Sequence, residues 1–121
     1  MASSVNILFV EDDTPVRDLV IRMLSEKGFR VFAAADAYDA VRILAAHRVD
    51  LLFTDVVLPG MDGVQLARQA KVMHPAIKVL FATGYAQRAA ERQAMRFGRI
   101  LFKPLREVEL LREVGALLGP V

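Results

Sequence analysis

The chain has 121 residues and a mass of 13.4 kDa, the size of one ordinary domain. It is 55% hydrophobic and 25% charged, with 7 Gly, 5 Pro and no Cys, which excludes collagenous and low-complexity classes, disulfides, thiolate metal sites and cysteine nucleophiles. Sixteen basic residues, twelve of them Arg, face fourteen acidic ones, and the net charge of +2 is too small to argue by itself for nucleic acid. The start, Met1-Ala2-Ser3-Ser4, has no basic region followed by an apolar one, and no apolar run nears the ~20 residues of a membrane span, so a cytoplasmic domain is expected.

Two hydrophobic periods alternate along the chain. Val5 to Val10 is a short, nearly continuous apolar run, as in a strand buried on both faces. Thr14 and Pro15 read as N-cap and first position of a helix carrying Val16, Leu19, Val20, Met23 and Leu24, which Gly28 stops. Phe29 to Ala34 predicts a strand, and Asp36 caps a helix to about His47, with Asp39 in capping-box spacing. Leu51 to Thr54 predicts the third strand. The turn residues Leu58-Pro59-Gly60-Met61-Asp62-Gly63 then lead to a helix ending near His74-Pro75. Ile77 to Ala82 predicts the fourth strand, Ala86 to Phe97 a helix, and Ile100 to Phe102 the fifth strand. The last helix runs from about Arg106 to Leu118 with Val108, Leu111, Val114 and Leu118 on one face. Five strand–helix units imply parallel pairing through right-handed crossovers, hence a doubly wound α/β fold in a single domain over residues 1–121.

In such a sheet the chemistry belongs at the carboxyl ends of the strands. Glu11-Asp12-Asp13 follow strand one, Asp55 ends strand three, Thr83 ends strand four, and Lys103-Pro104 end strand five. Carboxylates gathered in one small volume repel each other unless a cation neutralises them, and oxygen donors without sulfur or imidazole suit Mg²⁺, with Mn²⁺ as the alternative. Lys103 supplies a point charge for a phosphate oxygen and Thr83 a hydroxyl donor. Asp55, beside the metal pair, is the natural oxygen nucleophile for phosphoryl transfer. Asp13 reads as a capping and macrodipole residue.

The pieces FVEDD, TDVVLPGMDG, ATG and KP, in that order and each at a strand end, resemble the receiver domain of two-component response regulators over essentially the whole chain. The resemblance implies a flavodoxin-like sheet of order 2-1-3-4-5 flanked by five helices, and a phosphoryl group accepted at Asp55 from a sensor histidine kinase or a histidine phosphotransfer protein. It implies Mg²⁺ held by Asp12, Asp55 and the main-chain carbonyl of Val57, with Glu11 acting mainly through water. Lys103 and Thr83 would contact the phosphoryl group, and Lys103-Pro104 would be a cis bond. Where the family often has an aromatic switch residue three before the lysine, this chain has Ile100, so output would rely on backbone movement or another residue. Tyr85 lies over the expected phosphoryl path.

Arg88, Arg92 and Arg96 recur every four positions and form a ridge on the predicted fourth helix. The ridge reads as a solvated face paired in part with Glu91 or with Glu107, Glu109 and Glu113. Its alternative is a surface for a partner or a second copy; nucleic acid and membrane are not expected. The leading function is a free-standing switch without an output domain, which phosphorylates and dephosphorylates itself and signals to a downstream protein. A receiver excised from a hybrid kinase and a pseudo-receiver that only binds protein are the alternatives. A haloacid-dehalogenase-like phosphatase would need a second Asp where Val57 stands, and a flavodoxin-type cofactor site would need a Gly/Ser/Thr-rich first loop where this one is acidic.

Overall fold

A computed structural model describes residues 5–84 and 92–119. Its strands are β1 (Asn6–Val10), β2 (Arg30–Ala34), β3 (Leu51–Asp55), β4 (Lys78–Thr83) and β5 (Arg99–Phe102). All neighbours pair in parallel, in the order β2-β1-β3-β4-β5. The helices are α1 (Thr14–Glu26), α2 (Ala37–Ala46), α3 (Gly63–Met73) and α4 (Glu107–Leu118), and residues 92–94 are also helical. The expected helix from Ala86 to Phe97 falls in large part outside the described residues, as do Tyr85 and Arg88.

The central strands β1, β3 and β4 are largely apolar because both of their faces are covered, whereas the edge strands β2 and β5 are partly exposed. Ile7, Phe9, Leu51, Phe53 and Leu80 point to one side, where they pack with Val20 and Leu24 of α1 and Leu110 and Val114 of α4. Leu8, Val10, Leu52, Val79 and Phe81 point to the other, against Leu44 of α2, Leu66, Ala67 and Ala70 of α3, and Ala94. Alternate residues of one strand thus feed two cores, which is why no period-2 polarity shows in the sequence. Phe9 and Phe53 form a tilted aromatic pair across β1 and β3, with centroids 4.8 Å apart.

The helix ends follow local chemistry. Gly28 takes φ +93, and the Phe29 and Gly28 amides return to the carbonyls of Leu24 and Ser25, closing α1 with a Schellman motif. At the other end, the expected cap is off by one residue. Asp13 is extended at φ −79, ψ 111 and holds the N-cap position, so Thr14 is already helical; no side chain caps α1. The Asp36 carboxylate caps α2 by accepting the Asp39 amide at 2.8 Å. Asp62, read in sequence only as a turn residue, completes a full capping box with Gln65. The apolar face of α4 is also turned relative to expectation. Leu110 and Val114 are buried whereas Val108 is exposed, because α4 is rich enough in Val and Leu to offer two overlapping stripes, and the sheet selects the one centred on Leu110.

Candidate functional site at the strand carboxyl ends

The strand register delivers the rim. Val10 pairs with Thr54 and Asp55 with Ala82, so the steps from β1 to β3 and from β3 to β4 each set the terminal residue one rung further along, while Thr83 and Phe102 end β4 and β5 level. The Glu11 amide donates to Ala34 O, the Val56 amide to Ala82 O and the Lys103 amide to Thr83 O, which fixes the backbone just beyond each strand.

At the centre lies one ammonium between two carboxylates. Lys103 Nζ donates to Asp55 Oδ2 at 2.6 Å and to Glu11 Oε1 at 3.1 Å, joining residues 48 and 92 positions apart. Glu11 is only 2% exposed. Its second oxygen accepts the Asp13 amide, and its carbonyl accepts from the Arg17 guanidinium at 2.7 Å. Burial pushes the Glu11 carboxyl above its ordinary range, against the pull of the Asp13 amide and Lys103, while Asp12 beside it adds to the rise. Burial also works against the charge of Lys103. Its hydrogen bonds to Asp55 and Glu11 outweigh that cost and hold the ammonium above the usual lysine value.

Asp55 is oriented from both sides. Its Oδ1 accepts the Val57 amide at 3.2 Å, which turns the carboxylate toward the loop after β3, and its carbonyl accepts the hydroxyl of the buried Thr54. Gly63 lets α3 reach this strand end. A Cβ there would lie 2.0 Å from Asp55 O, and the Gly63 amide closes on Val56 O at 2.8 Å. Thr83 is fully buried with its hydroxyl donated to Gly84 O, and Lys103-Pro104 is cis.

The structure therefore brings together Glu11, Asp55 and Lys103, with Thr83 adjacent in register to Phe102. Asp12 stands exposed next to the buried Glu11, and Val57 is half exposed. Ile100 is half-buried against the α2/α3-side core. The oxygen-only donors Glu11, Asp12 and Asp55 fit a hard divalent cation rather than zinc. In this arrangement Lys103 does the neutralising: among the described residues no three His, Asp or Glu side chains are gathered closely enough to hold a metal by themselves. Sequence reasoning missed Gly63, Thr54 and Arg17, whose contributions are close approach and hydrogen bonds to backbone. Only Gly63, just after the capping Asp62, left a trace in the sequence.

A doubly wound parallel sheet of order 2-1-3-4-5, with two carboxylates and a lysine converging at its carboxyl rim, defines a class of flavodoxin-like α/β domains. Within that class, the model of the response regulator receiver domain family matches residues 7–115, and the chain belongs to that family. It is 34% identical over 114 residues to the response regulator receiver protein CpdR of Brucella abortus, covering 93% of this chain and 95% of that protein. It is 36% identical over 106 residues to the sensor kinase CckA of the same organism, where it spans only 11% of that protein. Among solved structures, a signal receiver domain from Pseudomonas fluorescens superposes with a TM-score of 0.90 at 28% identity, covering 96% and 95% of the two chains. A CheY-like receiver domain from Methanospirillum hungatei gives 0.88 at 28% identity, covering 94% and 93%.

Proposed function

We propose that this chain is a free-standing receiver whose Asp55 accepts a phosphoryl group from a histidine kinase or histidine phosphotransfer protein in the cytoplasm. The observation that carries the reading is the Lys103 ammonium held between Asp55 and Glu11 at the carboxyl rim. A carboxylate oxygen of Asp55 attacks phosphorus, the new O–P bond forms as the N–P bond of the donor phosphohistidine breaks, and the electron pair leaves with the imidazole, which takes up a proton. Lys103 then exchanges its carboxylate partner for a phosphoryl oxygen, and Thr83 releases Gly84 O to donate to another. Mg²⁺ bound by Asp12, Asp55 and the Val57 carbonyl, with Glu11 outside it, would supply the charge that offsets repulsion between the incoming group and the acidic pocket.

Phosphorylation adds about −1.5 to −2 charges beside Lys103 and Thr83. Drawing both side chains toward Asp55 pulls on the ends of β4 and β5, which biases the surface beyond them toward a downstream protein. Similarity to CpdR along nearly the full length of both chains supports the free-standing form. The match inside CckA supports the other reading, a receiver belonging to a larger kinase. Amide NMR spectra with and without phosphorylation test the switch. Shifts spreading from Asp55 to Thr83, Gly84 and β5 are expected, and shifts confined to the Asp55 loop would count against it.

A further inference from the structure

The turn between β1 and α1 holds more acid than its own structure uses. Glu11, Asp12 and Asp13 stand in a row, and Asp18 follows on α1. Asp13 occupies the N-cap position, yet its side chain makes no bond to the helix. Lys103 pairs with Glu11 of the three. Asp12 and Asp13 are exposed, and among the described residues neither carboxylate has a Lys, Arg or His nitrogen within 4 Å. Adjacent like charges repel, so a turn of this composition opens unless something holds it.

Arg17 holds it without pairing with any of these acids. This half-buried residue of α1 donates from Nη1 to Glu11 O at 2.7 Å and from Nη2 to Thr14 Oγ1 at 3.3 Å. The helix gives no local reason for a cation there: its first turn has no acidic residue, and positive charge near a helix N-terminus opposes the macrodipole. The rigid fork of the guanidinium instead grips both ends of the turn, the carbonyl of Glu11 and the hydroxyl of Thr14. The backbone completes the clasp. The Arg17 amide returns to Asp13 O at 2.9 Å, the Asp13 amide donates to Glu11 Oε2 at 3.2 Å, and the Glu11 amide donates to Ala34 O at 3.0 Å. Asp12 is thus bracketed by fixed residues on both sides while its own side chain is exposed.

We propose that Arg17 is a positioning residue for the divalent cation of the rim: by clasping the turn from Glu11 to Thr14 through neutral oxygens, it holds Asp12 in place without occupying the carboxylate. The inference rests on the reading of the rim as a Mg²⁺-assisted phosphoacceptor. Arg17 acts through the main chain of Glu11, since its described bonds go to Glu11 O, Thr14 Oγ1 and Asp13 O. Charge and geometry then predict opposite signs for its removal. A guanidinium repels a nearby cation, so loss of its charge alone would tighten Mg²⁺ binding. Loss of the clasp frees the turn, which must then be ordered again by the ion, and binding weakens.

The test titrates MgCl₂ into the full, unphosphorylated chain and follows the amide NMR shifts of Asp12, Asp13 and Val57. Arg17→Met, which keeps the aliphatic stem and loses both bonds, is expected to weaken Mg²⁺ binding about tenfold. Arg17→Lys keeps the charge but has one donor group for two oxygens, and is expected to fall between Arg17→Met and the parent. Arg22→Met removes an equal charge from an exposed position of α1 and is expected to bind as the parent does. A second readout needs no metal: solvent exchange of the Asp13 amide is expected to quicken in Arg17→Met and not in Arg22→Met. Circular dichroism checks that each variant is folded, and Arg17→Lys carries the test if Arg17→Met is not. A parent that binds no Mg²⁺ would overturn the phosphoacceptor reading and the clasp together. A parent that binds it, beside an Arg17→Met protein of equal or higher affinity or an Arg22→Met protein with an equal loss, would overturn the clasp alone.

Discussion

Replacing Gly63 by Ala tests whether the close approach of α3 to β3 fixes the position of Asp55. The added Cβ would stand 2.0 Å from Asp55 O and 3.0 Å from Val56 Cα, against an ordinary contact of 3.4–4 Å. The first turn of α3 must therefore retreat by about 1.4 Å, since strand β3 is locked between β1 and β4. That movement stretches the 2.8 Å bond from the Gly63 amide to Val56 O beyond hydrogen-bonding range, at a cost of about 1 kcal/mol. It also lifts Val64, Leu66 and Ala67 from their core contacts, and overpacking of this kind costs about 1–3 kcal/mol. The lower chain entropy of Ala in the unfolded state returns about 0.5–1 kcal/mol. The net expectation is a loss of about 1–3.5 kcal/mol, read from urea midpoints at constant slope. Gly115→Ala is the control, because nothing lies within 4 Å of that position in α4; it should stabilise by about 0.5–1 kcal/mol. A Gly63→Ala protein as stable as the parent would refute the reasoning.

Lys103→Met strands the buried Glu11 carboxylate beside Asp55. Removing one partner of a fully buried pair costs about 3–5 kcal/mol, and because the Lys103 side chain is 31% exposed the expected loss at neutral pH is smaller, about 2 kcal/mol by urea denaturation. Lys103 has its folded pKa raised above 10.5, so its stabilisation is fully present below that value and is lost as pH rises through the folded pKa. The stability gap between parent and Lys103→Met should therefore close above pH 10.5, and a gap that stayed constant would contradict the assignment. Phe53→Ala, which empties a fully buried site against Phe9, should cost about 3–5 kcal/mol in the same assay. Lys103→Ala should still accept some phosphate at Asp55 yet lose the amide shifts in β5; switching equal to the parent's would remove lysine from the signal path.

Much of the fold was legible because both faces of its sheet are buried. Runs such as Ile7-Leu8-Phe9-Val10 and Leu51-Leu52-Phe53 need no periodicity to be read as strands once helix-period segments separate them. The rim was legible for a related reason: in a parallel sheet every strand's carboxyl end comes to one side, so Glu11, Asp55, Thr83 and Lys103 could be grouped from sequence order alone. What sequence could not supply was phase and proximity. Val108 and Leu110 both fit helical stripes, and only docking on the sheet chooses between them. The 2.0 Å approach at Gly63, the Arg17 bond to Glu11 O, and the Arg68–Phe97 contact each depend on how two elements meet. Of the pairing expected for the arginine ridge, Arg92 and Arg96 form none with α4, since Arg99 reaches Glu113, while Arg88 and Glu91 lie outside the described residues.

The account rests on Asp55 as the phosphoacceptor. Its most direct test is intact-mass spectrometry of the parent and of Asp55→Asn after incubation with acetyl phosphate, with Mg²⁺ and with a chelator. The account predicts one phosphate on the parent with Mg²⁺, none with chelator, and none on Asp55→Asn, which leaves both cores and the Lys103–Glu11 bond untouched. A phosphate on Asp55→Asn equal to the parent's, or an unmodified parent that nevertheless binds Mg²⁺, would contradict it.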